Sequence, residues 1–262
     1  MRKISIVIPA YNEEKRIEKT LVAYSNFFND LFKKGEIDYE ILIVINNTTD
    51  DTLKIVKAYS EGNKKMRYLN LVKGGKGYAV MEGFKNALKR DNDFIGFVDA
   101  DMATSPVEFY KLTTVIGRYG GAIASRYMEG SVIDPKPTIG RLIAKRMFNS
   151  CVRAVLFLPY KDTQCGAKVF QRIVIEKVSP IVTMSQWAFD VDLLYSARKE
   201  GYKIIEVPTR WSDMAYAKIN FWKAGPKMVL GVLRLRILNS PLRRLIGLYE
   251  KSKSLIEPTG LR

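Results

Sequence analysis

Apolar residues occur in this chain in two rhythms. Three runs of strand length, Ile4-Ser5-Ile6-Val7-Ile8-Pro9, Tyr39-Glu40-Ile41-Leu42-Ile43-Val44-Ile45 and Phe94-Ile95-Gly96-Phe97-Val98, read as buried strands, the second nearly continuous as parallel sheets require, and Tyr68-Leu69-Asn70-Leu71 reads as a shorter one. Between them apolar positions recur at helical spacing: Ile17, Leu21 and Tyr24, then Leu53 and Val56, then a segment from Tyr78 to Leu88. Pro9 is read as the end of the first strand. Asn12, followed by Glu13 and Glu14, is read as the N-cap of the first helix. Asn46-Asn47-Thr48-Thr49-Asp50 is read as the polar loop and cap before the second. This β-α-β-α alternation predicts an α/β fold, a doubly wound and mostly parallel sheet with a nucleotide-binding N-terminal half.

Further along, Pro106 opens a helix and Gly121 to Ser125 forms a strand ending at Arg126. Arg141, Lys145 and Asn149 stand four apart and share one helical face, either phosphate-reading or merely wet. Asp162-Thr163-Gln164-Cys165-Gly166 is a polar turn before a strand from Ala167 to Phe170. Gln186 to Asp190 leads into a helix carrying Val191, Leu194, Tyr195 and Arg198, on which Asp190 can serve as an N-terminal cap. Lys203 to Val207 is a last strand. The chain divides into a domain over 1–218 and a tail over 219–262. In the tail Trp222, Met228, Val229, Val232, Leu233, Leu235 and Ile237 alternate with Lys223, Lys227, Arg234 and Arg236. Such a basic amphipathic segment suits an anionic membrane interface or a helix packed on the domain with its cations outward.

Composition narrows the chemistry. The 262 residues, 47% apolar, can bury a sizeable core, and no apolar run reaches the length of a membrane span. The start, Met1-Arg2-Lys3-Ile4, moves directly into a strand, so no signal peptide is expected. Cys151 and Cys165 are the only cysteines, which suits a reducing cytoplasm. An excess of 43 basic over 27 acidic side chains, formally +16, calls for an anionic partner: a sugar nucleotide, a lipid phosphate, a membrane surface or nucleic acid. The cations lie at loop ends and in the tail, not interleaved with aromatics along one face, so nucleic acid is not expected. There is no histidine. Ser-His-Asp chemistry, imidazole acid–base catalysis and the commonest zinc ligands are excluded together.

The chemistry then centres on Asp99-Ala100-Asp101, where the fourth apolar run ends. Side chains two apart on an extended segment leave the same face, so the two carboxylates can converge. Two hard oxygen ligands at the open end of a strand suit Mg²⁺ or Mn²⁺, whereas a turn cap and a solvated loop acid would look alike in sequence. Lys73-Gly74-Gly75-Lys76-Gly77 is either an anion-cradling loop at a helix N-terminus or a flexible connection. Arg126, at a strand end, can meet a phosphate bidentately.

Taken together these pieces resemble the family 2 glycosyltransferases of the GT-A type, from Ile4 to about Lys218. Ile8-Pro9-Ala10-Tyr11-Asn12-Glu13 is similar to that family's nucleotide-binding first loop, Lys76-Gly77 to its G-K-G-x-A segment, and Asp99-Ala100-Asp101 to its metal-binding D-x-D. Within the family, Asp99 to Thr104, Asp162 to Phe170 and Trp187 to Leu194 are similar to D-A-D-G-A-T, D-T-Q-C-G-F-K-L-F and W-A-F-D-V-E-L-L of the dolichyl-phosphate β-glucosyltransferases. The resemblance implies an inverting transfer of glucose from UDP-glucose to a polyprenyl phosphate. Asp101, with Asp99, would hold Mg²⁺ or Mn²⁺. Pro9, Ala10, Tyr11, Glu13, Asn46, Lys76, Gly77 and Ala100 would line the donor, with Asn46 standing where relatives place a base-contacting Asp. Arg126, Arg141, Lys168 and Lys218 would gather the acceptor phosphate and the donor diphosphate. For a sugar hydroxyl acceptor, Asp190 or Asp162 would be the base. The alternatives are mannose transfer from GDP-mannose and a saccharide acceptor. The expected location is cytoplasmic, peripheral on the cytoplasmic face of a membrane.

Overall fold

The computed structural model describes residues 1–135, 138–183, 188–212 and 221–240. Its elements in chain order are β1 (Arg2–Ala10), α1 (Ile17–Lys33), β2 (Ile37–Asn46), α2 (Thr52–Gly62), β3 (Met66–Leu71), α3 (Lys76–Ala87), β4 (Phe94–Val98), α4 (Pro106–Val115), β5 (Gly121–Ser125) and β6 (Val132–Asp134). They continue with α5 (Ile139–Leu156), β7 (Ala167–Gln171), α6 (Arg172–Val178), α7 (Phe189–Lys199), β8 (Ile204–Pro208), β9 (Arg210–Ser212) and α8 (Phe221–Leu238).

One sheet of seven strands, in the order β3-β2-β1-β4-β7-β5-β8, divides two helical layers. The strand alternation assigns the layers. Ile4, Ile6 and Ile8 of β1 and Ile41, Ile43 and Ile45 of β2 face one core, with Leu21, Tyr24 and Phe28 of α1 and Phe109 and Leu112 of α4. Val7, Leu42 and Val44 point the other way, into a core shared with Ala79, Val80 and Phe84 of α3 and Val191 and Leu194 of α7. Each fully buried aliphatic side chain contributes about 1.5–3 kcal/mol relative to exposure, so a strand apolar on both faces is held from both sides.

Several details depart from the sequence reading. β7 runs antiparallel to both β4 and β5, in an otherwise parallel sheet. β6 and β9 form a separate parallel pair, tied to the first layer through a bridge between Thr104 and Trp211. α1 begins at Ile17, not beside Asn12, and α3 begins at Lys76, two residues before Tyr78. α8 buries Met228, Val232 and Leu235 in the second core and packs against α5. The 218/219 boundary lies outside the described residues, as does the tail beyond Ser240. Among the described residues no helix is long and apolar enough to cross a membrane.

Candidate active site

The parallel strands β1, β2 and β4 release their chains on the same edge of the sheet. Strand order reverses around β1, with β2 on one side and β4 on the other. The loops leaving these strands therefore converge on one crevice.

The first two loops are braced against each other. Asn12 takes a left-handed conformation (φ 52°), and its Oδ1 accepts from the Thr49 amide at 2.9 Å. Its side chain thus serves the second loop, not the start of α1, which corrects the capping role read from the sequence. Asp50 accepts from the Thr52 amide at 3.0 Å and from the Glu14 amide at 3.1 Å. Burial opposes its charge, but hydrogen bonds from Thr52, Glu14 and Thr48 prevail and hold its carboxyl at about 2. Pro9 and Ala10 end β1, and Tyr11 stands exposed just past them. The Glu13 amide donates to Thr52 Oγ1 at 2.8 Å, while its carboxylate accepts twice from Arg16, both at 2.7 Å. Asn46 is buried: its Nδ2 donates to the Ala10 carbonyl at 3.0 Å and its Oδ1 accepts from the Gly75 amide at 3.1 Å. Expected at the nucleotide base, it ties the end of β1 to the glycine loop through these two bonds.

β4 ends at Val98, so Asp99 and Asp101 belong to the turn after it and not to the strand face inferred for them. The Asp99 amide donates to the Gly166 carbonyl at 3.0 Å. The Ala100 carbonyl accepts from Thr20 Oγ1 at 2.7 Å, and Asp101 Oδ1 accepts from the Ala103 amide at 3.0 Å. Tyr24 donates to the Thr104 carbonyl at 2.9 Å. Burial, and then the fields of Asp101 and Asp99, push the Tyr24 phenol well up and keep its proton on. Thr20 and Tyr24, missed in the sequence, thus hold the turn from beneath; only their positions on the inner face of α1 could have marked them.

Lys76, the first residue of α3, places Nζ 2.6 Å from Asp99 Oδ1. Two glycines make the packing possible. A Cβ on Gly166 would lie 2.0 Å from Asp99 Oδ2, and one on Gly77 would lie 2.5 Å from Cβ of Phe189. Burial raises the Asp99 carboxyl; Lys76 lowers it and Asp101 raises it again, with a net upward shift. Burial likewise opposes the charge of Lys76, but Asp99 and then Asp190 hold the ammonium protonated. Two neighbouring carboxylates, one of them short of counter-charge, form an oxygen donor set that fits a hard divalent cation. Among the described residues no three acidic or cysteine side chains are grouped so as to hold a metal ion by themselves. The protein would therefore supply only part of such an ion's shell, the usual arrangement when substrate phosphates and water supply the rest.

Behind this turn lie two more ion pairs. Lys168 is fully buried, with Nζ 2.6 Å from Asp190 Oδ1 and 2.7 Å from the Cys165 carbonyl. Expected among the acceptor-phosphate cations, it is an internal strut. Arg126 donates to both oxygens of Asp162, at 2.7 and 2.9 Å, and its own amide donates to Asp162 Oδ2 at 3.0 Å. Burial raises the Asp162 carboxyl, but Arg126 outweighs it and the net shift is downward. Fully enclosed and doubly engaged, Asp162 does not fit the role of a base. Asp190 sits in the first turn of α7; Lys168 and then Lys76 overcome its burial and keep it ionised. Its charge also acts on Lys76 and Asp99, so of the two candidate bases it is the one electrostatically coupled to the D-x-D turn. Asn149 of α5 accepts from the Thr163 amide at 3.0 Å, fixing the loop beside Asp162. The side chains of Arg141 and Lys145, on the same helix, and the whole of Lys218 lie outside the described residues.

Comparison with known proteins identifies the family and supports the fold. The model of the family described as glycosyl transferase family 2 matches residues 5–179. The chain is 30% identical over 257 residues to a dolichyl-phosphate beta-glucosyltransferase of Dictyostelium discoideum, covering 94% of this chain and 76% of that protein. It is 32% identical over 233 residues to the protein of the same name in Drosophila melanogaster, covering 84% and 70%. Among solved structures, glucosyl-3-phosphoglycerate synthase from Mycobacterium tuberculosis, in complex with Mn²⁺, uridine diphosphate and phosphoglyceric acid, superposes with a TM-score of 0.64 at 18% identity. That match covers 90% of this chain and 78% of the other.

Proposed function

The chain belongs to glycosyl transferase family 2, and on that premise we propose that it transfers glucose from a uridine diphosphate sugar to dolichyl or another polyprenyl phosphate, with inversion at the anomeric carbon. The relatives named dolichyl-phosphate beta-glucosyltransferase support the substrate class. The observation that carries the reaction type is the pair of carboxylates, Asp99 and Asp101, set with Lys76 at the carboxyl end of β4.

Asp101 and Asp99 are the residues that would hold Mg²⁺ or Mn²⁺. Such an ion, when bound, neutralises charge developing on a departing nucleoside diphosphate. Lys76 contributes a fixed positive charge from the first turn of α3, where unpaired amides and the helix dipole also favour an anion. Exposed Tyr11, with Pro9, Ala10, Glu13, Gly77 and Ala100 in the segments around it, would line the donor, and Asn46 holds the end of β1 against the glycine loop. On the acceptor side Arg126, oriented by Asp162, supplies a fixed charge, with Arg141 and Lys218 as further candidates. A phosphate monoester has its second pKa near 6, so the acceptor arrives anionic and needs no strong base. That removes any demand for histidine. Asp190 then serves as the buried partner of Lys168 and would act as a base only toward a hydroxyl acceptor.

The test incubates the purified chain with UDP-glucose or GDP-mannose, a short-chain polyprenyl phosphate and Mn²⁺ or Mg²⁺, and measures glycolipid. Glucolipid from UDP-glucose is expected, falling to background with EDTA and on the order of a thousandfold in Asp101→Ala. Mannolipid from GDP-mannose alone would reassign the donor. If both donors are inert toward the lipid while a saccharide is glycosylated, the acceptor assignment fails.

A further inference from the structure

α5 is apolar on two opposite sides. Phe148, Val152 and Leu156 enter the second core, as an amphipathic helix should. Ile139, Ile143 and Met147, spaced four apart on the far side, are 77%, 52% and 67% exposed. At its C-terminal end Phe157, in a left-handed conformation (φ 55°), is also exposed. α8 repeats the pattern: Met228, Val232 and Leu235 are buried, while Leu230, Leu233 and Ile237 form an outward stripe. The two helices pack together, and the Arg236 guanidinium stands 5.2 Å from the Phe157 ring, joining the ends of the stripes. A helix apolar on both sides suits a globular protein only when a second apolar phase covers the outer side.

Charge indicates which phase that is. Neither α5 nor α8 contains an Asp or Glu. Exposed Arg146 and Arg153 border the stripe on α5, and Arg234 and Arg236 border the one on α8. Exposed apolar side chains bordered by cations, on helices without a carboxylate, complement an anionic bilayer: the apolar groups enter the headgroup–acyl boundary and the cations meet lipid phosphates. The inner side of the same α5 carries Asn149, which fixes the loop beside Asp162 and Arg126.

We propose that the outer faces of α5 and α8 form a docking surface for an anionic lipid bilayer, with Ile139, Ile143 and Met147 inserted, so that one helix touches both the membrane and the acceptor side of the crevice. The link to the acceptor rests on the lipid-phosphate reading above; the docking itself does not require it.

The test is co-sedimentation of the full chain with phosphatidylcholine vesicles, with or without phosphatidylserine and free of any acceptor. Wild type should partition to the anionic vesicles, and Ile139→Ser/Ile143→Ser/Met147→Ser should partition on the order of ten-fold less. Val107→Ser/Ile173→Ser, exposed residues on α4 and α6, should behave as wild type. Arg146→Glu/Arg153→Glu should lose the preference for anionic over neutral vesicles. Circular dichroism of the triple variant should be unchanged, because its three side chains are exposed. Equal partitioning of triple variant and wild type would overturn the surface. So would a wild-type dimer, seen by light scattering, that the triple variant breaks while neither binds vesicles; the cover would then be a second copy. Glucosyl transfer to a short-chain, water-soluble acceptor should be the same in both. Its absence in wild type, with sedimentation intact, would count against the transferase reading and leave the docking surface standing.

Discussion

Gly166 shows how far the site depends on single residues. Its backbone carbonyl receives the Asp99 amide, and the place of its missing side chain is taken by the Asp99 carboxylate. Alanine there would put a methyl 2.0 Å from Oδ2 and 2.5 Å from Cγ of an aspartate too short to swing clear without leaving Lys76. Displacements near 1 Å at a reacting centre cost on the order of a hundredfold in rate. Gly166→Ala should therefore lower kcat by about that factor while its melting temperature stays close to wild type. Gly140→Ala is the matched control: it meets nothing within 4 Å, and in the first turn of α5 it should be neutral or stabilising by up to about 1 kcal/mol. Steady-state kinetics and thermal melts of the two variants decide this. Equal activity in both would mean that the position of Asp99 is not critical.

At the scale of elements, β7 is the strand that the rest of the site leans on. It enters antiparallel between β4 and β5, and its Lys168 is tied to Asp190 of α7. Removing one partner of such a pair leaves a buried charge uncompensated, at a cost of about 3–5 kcal/mol, whereas removing both is far milder. Lys168→Met should show the large loss in urea denaturation, and Lys168→Met/Asp190→Leu should regain most of it. Additive losses would mean that the pair contributes nothing as a pair. The same strand marks what the sequence displayed and what it hid. β1 and β2 were legible because strands covered on both faces need unbroken apolar runs. The direction of β7 was not, since an apolar run reports burial and not polarity. The burial of Lys168 was readable in principle: it shares the period-two face of Phe170, which lies in the core. Its charge drew the reading toward phosphate instead. Asn12 misled for a related reason. An Asn followed by two acids is a good cap by local rules, but its side chain is taken by Thr48 and Thr49, a contact 36 or more residues away that no local pattern encodes. The D-x-D was legible as composition, yet its convergence comes from a turn held by Thr20, Tyr24 and Gly166, distant in the chain. β6 and β9, three residues each and largely exposed, carried no periodic signal at all.

For the whole molecule, carboxylates held by ion pairs and hydrogen bonds set the dependence of stability on pH. The carboxyls of Asp162, Asp190, Asp38 and Asp50 all lie below their ordinary values in the fold. A carboxyl whose folded pKa is lowered contributes stability that is fully present above the unfolded value, about 4, and is lost as pH falls through the folded value. The opposite limb belongs to Tyr24, whose phenol is pushed well up by burial, and to Cys165, whose thiol is raised from 9.0 to about 11. These stay neutral in the fold while the unfolded chain ionises, so their contribution is present below the unfolded values and is lost as pH rises through the folded ones. Melting temperature should hold a plateau between about pH 5 and pH 8.5, with a fall on each side. The acid fall is the steeper, since a chain formally at +16 gains further self-repulsion as carboxylates protonate. Arg126→Gln separates the pair from that general repulsion. Without the guanidinium nothing comparable holds the Asp162 carboxyl down against its burial, so the variant should melt lower at pH 7 yet lose less on going from pH 5 to pH 3. Circular-dichroism melts of both proteins across that range give the comparison, and parallel acid limbs would assign the acid lability to net charge rather than to the Arg126–Asp162 pair.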